Sequence, residues 1–331
     1  MSEAGVPSGT QVTRRRVGTL LRLVVSVGAL AFLFRQVELG ALPGVLAEAG
    51  IGSLCVALAA YLGSQVVSAL RWMLVARSAG FDLTARLAIR YYFIGMFFNV
   101  LGPSTLGSDV ARTLYLARDG RGAMTAAATV LYDRYIGFVW LTIIVAVALA
   151  LLGADALPSF ARWATLFLVG GLVAISCVGI ALARRLTLGG ASGAPMLRLL
   201  DDGTMLLRTS GLSLVVQASQ IGATVVLARA LTPQVHWSYC FVFQPLVAML
   251  GALPISVAGL GVRESGYVYF LATLGRAPVE SATAFALAWL AILVASSLAG
   301  GAVFLFSGES PPSRSNRRQA CSTNDQFPPS S

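Results

Sequence analysis

The chain has no lysine, a single histidine and little charge of either sign, with charged residues at only 11% of its 331 positions. Soluble domains carry about 25%. So few charges cannot clothe a water-soluble globule of this size, which excludes a soluble enzyme, a nucleic-acid binder and a disordered scaffold. Without lysine there is no G-x-x-x-x-G-K-[ST] phosphate loop, and hence no ATP-driven pump of that type. With one histidine, a His-ligated catalytic metal or a Ser-His-Asp triad would have to be built around His236 alone, which sits beside Trp237 in a loop and reads as an interfacial residue. Four cysteines, Cys55, Cys177, Cys240 and Cys321, show no C-x-x-C spacing; the first three read as small buried hydrophobes and the last lies in the tail. No cofactor and no metal is implied.

What fills the chain instead is apolar: 56% hydrophobic residues and a mean hydropathy of +0.77. The expected class is an all-α polytopic membrane protein. Uninterrupted apolar windows predict six spans, at 17–34, 51–75, 125–152, 163–183, 210–230 and 281–306, each near the ~20 residues that a bilayer requires. The first follows Arg14-Arg15-Arg16 and is read as an uncleaved helix rather than a signal peptide. Two further apolar stretches are broken. Residues 91–102 are too few to cross before Pro103, and residues 238–275 are interrupted by Pro245, Pro254, Gly259, Gly261 and Gly266. Lipid cannot replace the backbone hydrogen bonds that such residues remove, so both are expected to be re-entrant hairpins walled by protein or by a polar cavity.

All 24 basic residues are arginine, against 14 acidic ones. Polytopic proteins collect arginine in cytoplasmic loops, and this explains the excess better than a nucleic-acid partner does. Placing Arg14–Arg16 inside also puts segment 77–122, loop 184–208 and the tail inside, provided both broken stretches dip and return on their own side. Both termini are then cytoplasmic, at the cell membrane. The expected organisation is a basic N-terminus (1–16), a membrane domain (17–306) and a disordered tail (307–331) rich in Ser, Pro and Arg. Each half of the membrane domain, 17–152 and 163–306, runs span, span, broken hairpin, span. Three crossings per half require the second half to be inverted, an arrangement that places a transport site between the repeats.

The candidate site follows from the broken stretches. The first runs Asn99 to Arg112 and includes Gly102, Pro103, Ser104, Gly107 and Asp109. If a helix starts after Gly107, Asp109 and Arg112 share one face. Ser104, Thr105 or Ser108 could cap that helix, leaving an anion site at its N-terminus. The second runs Pro254 to Glu264 with the same grammar: proline, serine, Gly259, Gly261, then Arg263 and Glu264. A third pair, Asp133-Arg134, lies two turns inside a span, where a charge costs about 2.5–3.5 kcal/mol to insert and so tends to face the bundle interior. Each pair either binds substrate or locks helix to helix. Arg71, at the inner end of a span beside Trp72, is expected to snorkel to the interface.

Arg71-Trp72, the N-x-x-x-P…G-x-D-x-x-R run from Asn99 to Arg112, Asp133-Arg134, and P-I-S-x-x-G-L-G-V-R-E from Pro254 to Glu264 resemble the membrane region of lysylphosphatidylglycerol synthases, a flippase-like family. The resemblance covers roughly residues 15–306, and its most specific part is Gly-Leu-Gly-Val-Arg-Glu. Ser108 departs from it, standing where the family usually has a second glycine. In bifunctional members this region is thought to move the modified lipid between leaflets, while a separate soluble domain makes it. Other members accompany glycosyltransferases that use polyprenyl-phosphate carriers. The resemblance implies a lipid translocator acting on an anionic or aminoacylated phospholipid, or on a polyprenyl-phosphate-linked lipid. Arg112 and Arg263 would hold the headgroup, with Asp109, Glu264 and Asp133 orienting them or binding a cationic moiety. With 25 residues after Phe306, the chain is not expected to make lysyl-lipid itself. The alternatives are a membrane-embedded lipid transferase using Asp109 or Glu264 as base, or a membrane partner of a separate lipid-modifying enzyme or glycosyltransferase.

Overall fold

The computed structural model describes residues 42–101, 106–119, 122–152, 170–171, 202–252 and 259–306. Among them every regular element is helical. In chain order these are α1 (Leu42–Ser78), α2 (Ala85–Leu101), α3 (Gly107–Leu116), α4 (Ala123–Leu152), α5 (Gly203–Leu231), α6 (Cys240–Ala252), α7 (Val262–Val268) and α8 (Val279–Phe306). A π-helical turn, Tyr269–Leu274, continues α7. Residues 1–16, the expected spans 17–34 and 163–183, and the tail 307–331 lie outside the described set.

Four helices are long and apolar enough to cross a membrane: Ala49–Ser78 within α1, then α4, α5 and α8. They answer the expected spans 51–75, 125–152, 210–230 and 281–306. The helices outrun the apolar windows because helix ends are set by capping rather than hydropathy. At α5 the Asp202 carboxylate accepts the backbone N–H groups of Thr204 and Met205, so the helix begins at Gly203. Large apolar side chains such as Leu151 and Phe306 point outward from these helices. With outward faces this apolar, such helices belong in lipid. They are the helices of a multi-pass membrane protein.

Both broken stretches fold as helix–break–helix hairpins. The stretch 91–102 is the second part of α2, which starts six residues earlier and is 17 residues long, or about 25 Å at 1.5 Å per residue. That falls short of a ~30 Å hydrocarbon core. The next helix, α3, packs along α2; residues 102–105 between them lie outside the described set. In the second hairpin the interruptions differ from those expected. Pro245 lies inside α6 and Gly266 inside α7, and neither ends its helix. Pro245 forfeits one hydrogen bond near the start of α6 and is buried against neighbouring helices, which supports the weakened turn. The described part of the turn is Gly259–Gly261, and Pro254 lies outside the described residues.

The two hairpins are clasped by the long helices. α1 packs most extensively on α5, α8 on α2, and α4 on α6. The α8–α2 contact is close because Gly300 faces the Phe93 carbonyl, where a Cβ would sit only 2.1 Å from the oxygen. Ser297 donates to the Met96 carbonyl at 3.2 Å beside it. Aromatic rings of α6, the α7 segment and α8 (Phe243, Tyr267, Phe285 and Trp289) pack edge to face at the other end.

Candidate functional site

A cavity of about 540 Å³, lined by both polar and apolar side chains, opens between the helices, and all eight described helices contribute to its wall. Its charge comes from a cluster that joins α1, α3, α4 and α5. Asp133 on α4 is the hub, buried to 2% exposure. Its Oδ1 accepts from Arg71 Nε at 2.8 Å and its Oδ2 from Arg112 Nη1 at 3.1 Å. Asp109, one turn before Arg112 on α3, accepts from Arg112 Nη2 at 2.8 Å through Oδ1 and pairs with Arg134 Nε through Oδ2. The expected Asp109–Arg112 pairing across three residues is therefore present, and it is wired to the Asp133-Arg134 pair. All four carboxylate oxygens are engaged by guanidinium groups.

Arg71 is a central member of this cluster, not an interfacial residue. It is 5% exposed. Besides Asp133 Oδ1, it donates to Ser213 Oγ on α5 at 2.8 Å and to the Asp133 backbone carbonyl at 3.2 Å. A snorkelling arginine reaches water; this one finds a carboxylate of α4 instead, which a reading of α1 alone does not reveal. Arg112 is also stacked. Its guanidinium lies over the rings of Tyr92, 4.6 Å from the centroid, and Trp72, at 5.4 Å. Trp72 is itself fixed by donating to Thr129 Oγ1 at 3.2 Å.

The second hairpin sends one cation into the cavity. Arg263, at the start of α7, lines it. Its guanidinium rests against Gly251 of α6, where an added Cβ would come within 2.9 Å of Nε, and a Cβ on Gly259 would come within 3.2 Å of Nη2. Glycine at both positions makes the seat. Among the described residues no carboxylate lies within ion-pair distance of Arg263.

Glu264 does not join Arg263, against the expectation that the pair would act together. Neighbours on a helix point about 100° apart. Glu264 turns back to accept the Gly261 N–H at 2.6 Å, closing the first turn of α7. Gly261 and Gly259 have φ of +80° and +76°, a region that favours glycine. Their role is to shape the turn. Gly107 likewise serves packing, since a Cβ there would lie 2.3 Å from the Phe98 carbonyl of α2. Leu106 occupies the position before α3, with no side-chain cap, so Ser108 does not cap the helix. Ser104 and Thr105 lie outside the described residues.

The hydropathy reading missed the amides. Gln65 on α1, Asn99 on α2, and Gln217 and Gln220 on α5 all line the cavity. Gln217 and Gln220 stand three apart inside an apolar span, and that spacing is the signal that could have revealed a polar stripe. Away from the cavity, His236 accepts from the Ser238 N–H at the start of a short 3-10 turn. Of the described cysteines Cys240 is buried, whereas Cys55 is exposed on α1, so it is not the buried hydrophobe expected.

A family model described as the lysylphosphatidylglycerol synthase TM region matches residues 19–301. No curated protein matches the chain.

Proposed function

Because the chain belongs to the lysylphosphatidylglycerol synthase TM region family, we propose that it handles lipid as a translocator, carrying an anionic headgroup through the cavity while the tails stay in the bilayer. The observation that carries this reading is the cavity itself. It joins the Arg112 cluster of the first hairpin to Arg263 of the second, within a shell of helices whose outer faces are apolar. Guanidinium groups grip phosphate oxygens in a bidentate fork, and the wall provides them on both sides. In this reading the two hairpins are re-entrant, the halves 17–152 and 163–306 form an inverted repeat, and both termini lie in the cytoplasm of the cell membrane. A separate lipid-modifying enzyme or glycosyltransferase supplies the cargo.

The transferase alternative draws less support. A general base needs a lone pair free to face the substrate. The Asp109 oxygens are each held by an arginine, and Glu264, though its Oε1 has no hydrogen-bond partner among the described residues, caps its own helix through Oε2 and does not line the cavity. The deciding experiment is a leaflet-resolved lipid assay on the purified chain in proteoliposomes. Labelled phospholipid or polyprenyl-phosphate-linked lipid is expected to cross faster than in protein-free vesicles. Equal rates for both cargoes overturn the translocator.

A further inference from the structure

Four guanidiniums line the cavity, those of Arg71, Arg112, Arg134 and Arg263, against two carboxylates, Asp109 and Asp133. The wall therefore carries an excess of two positive charges. The excess is not spread evenly. Every oxygen of Asp109 and Asp133 already accepts from an arginine, so a cationic group entering the cavity meets only carboxylates whose charge is already paired. An anion meets the opposite situation: Arg263 faces the cavity without a carboxylate partner among the described residues, and Arg112 Nε has no hydrogen bond.

The uncharged part of the wall adds a second selection. Gln220 is satisfied, donating to Ser64 Oγ at 3.3 Å and accepting from Gln244 at 3.4 Å. Gln217, 4% exposed, and Asn99 are not: Gln217 Oε1 and Asn99 Oδ1 are buried with no hydrogen-bond partner among the described residues. A buried amide oxygen without a donor costs roughly 1–3 kcal/mol, so these two groups are set for a ligand. A hydroxyl serves either end of an amide, because it both donates and accepts, whereas an ammonium serves only the oxygen and brings a charge that the arginines repel.

We propose that the cavity takes a phosphate-bearing headgroup whose remainder is neutral and hydroxylated, a glycerol or a sugar, and discriminates against a headgroup of net positive charge such as an aminoacylated one. This rests on the lipid-handling reading and narrows its cargo. The phosphate lies at Arg263 and the open edge of Arg112; the hydroxyls reach Gln217 and Asn99.

Binding to the purified full chain in detergent tests this separately from movement, by native mass spectrometry and thermal shift. The probes are phosphatidylglycerol, lysyl-phosphatidylglycerol, phosphatidylmethanol and a polyprenyl phosphate bearing a neutral sugar. Phosphatidylglycerol or the sugar-phosphate lipid is expected to bind about tenfold or more tighter than lysyl-phosphatidylglycerol, and whichever is tighter identifies the carrier. Arg263→Gln should narrow the gap between phosphatidylglycerol and its lysylated form. Arg263→Lys should keep that gap and weaken both. Gln217→Leu should erase the preference for phosphatidylglycerol over phosphatidylmethanol. Lysyl-phosphatidylglycerol binding as tightly as phosphatidylglycerol overturns the proposal, even if lipids cross in proteoliposomes. The expected order of binding without any crossing retires translocation and leaves the headgroup selection standing.

Discussion

Arg112 and Arg263 occupy comparable places in the two hairpin motifs, yet their surroundings assign them different work. Arg112 is wedged between two carboxylates and two rings, while Arg263 rests on glycine with its face open. Removing Arg112 strands part of a buried charge cluster, which costs roughly 3–5 kcal/mol; Arg112→Ala is expected to lower the melting temperature in detergent and the expression yield together. An ammonium cannot reach both carboxylates as a fork does, so Arg112→Lys should lose a large part of the same stability. Arg263→Lys should melt like the parent and yet move lipid more slowly, since only the bidentate grip is lost. A stable Arg263→Lys protein with undiminished transport removes Arg263 from headgroup binding. The i,i+3 spacing made the Asp109–Arg112 pair legible in the sequence. The link from Asp133 to Arg71 was not, because it spans 62 residues and depends on how α1 meets α4. Proximity in sequence misled at Arg263-Glu264, where adjacent side chains diverge around the helix.

At the scale of the element, the start of α7 holds Arg263 in register. Glu264 closes α7 by accepting the Gly261 N–H, and Gly261 sits at a φ of +80°. Glu264→Gln retains an acceptor and should leave stability nearly unchanged, whereas Glu264→Leu should cost about 1 kcal/mol, as other lost caps do. Gly261→Ala adds backbone strain of roughly 1–3 kcal/mol, and thermal melts of the three variants should rank in that order. Full lipid binding by Gly261→Ala at the parent melting temperature contradicts this account. Where the described helices lie was largely legible from apolar runs, and both broken stretches do hold a break between two helices. Their limits were not. A helix continues through polar residues when a cap such as Asp202 starts it earlier, and a buried proline such as Pro245 can be carried inside one.

For the whole molecule, the arginine distribution predicts that both ends of the chain face the cytoplasm. Single-cysteine labelling in intact cells should find position 120 and the tail shielded from impermeant reagents, and a position near 45 open to them. Labelling of position 120 only from outside rejects the topology and the inverted repeat with it. The Asp133 hub has a further consequence, in the order of biosynthesis. Arg71 emerges from the ribosome 62 residues before Asp133, which at 5–20 residues per second is a wait of roughly 3–12 s. During that wait α1 carries an uncompensated guanidinium, and the insertion machinery must hold it beside water or a chaperone until α4 arrives. Ser213, a further 80 residues downstream by number, comes later still. Asp133→Asn is therefore expected to show its defect during synthesis, as newly made chains cleared by membrane proteases, and inactivating the protease should restore their amount. Unchanged pulse-labelled yield for Asp133→Asn would mean that α1 is accepted into the bilayer without its partner.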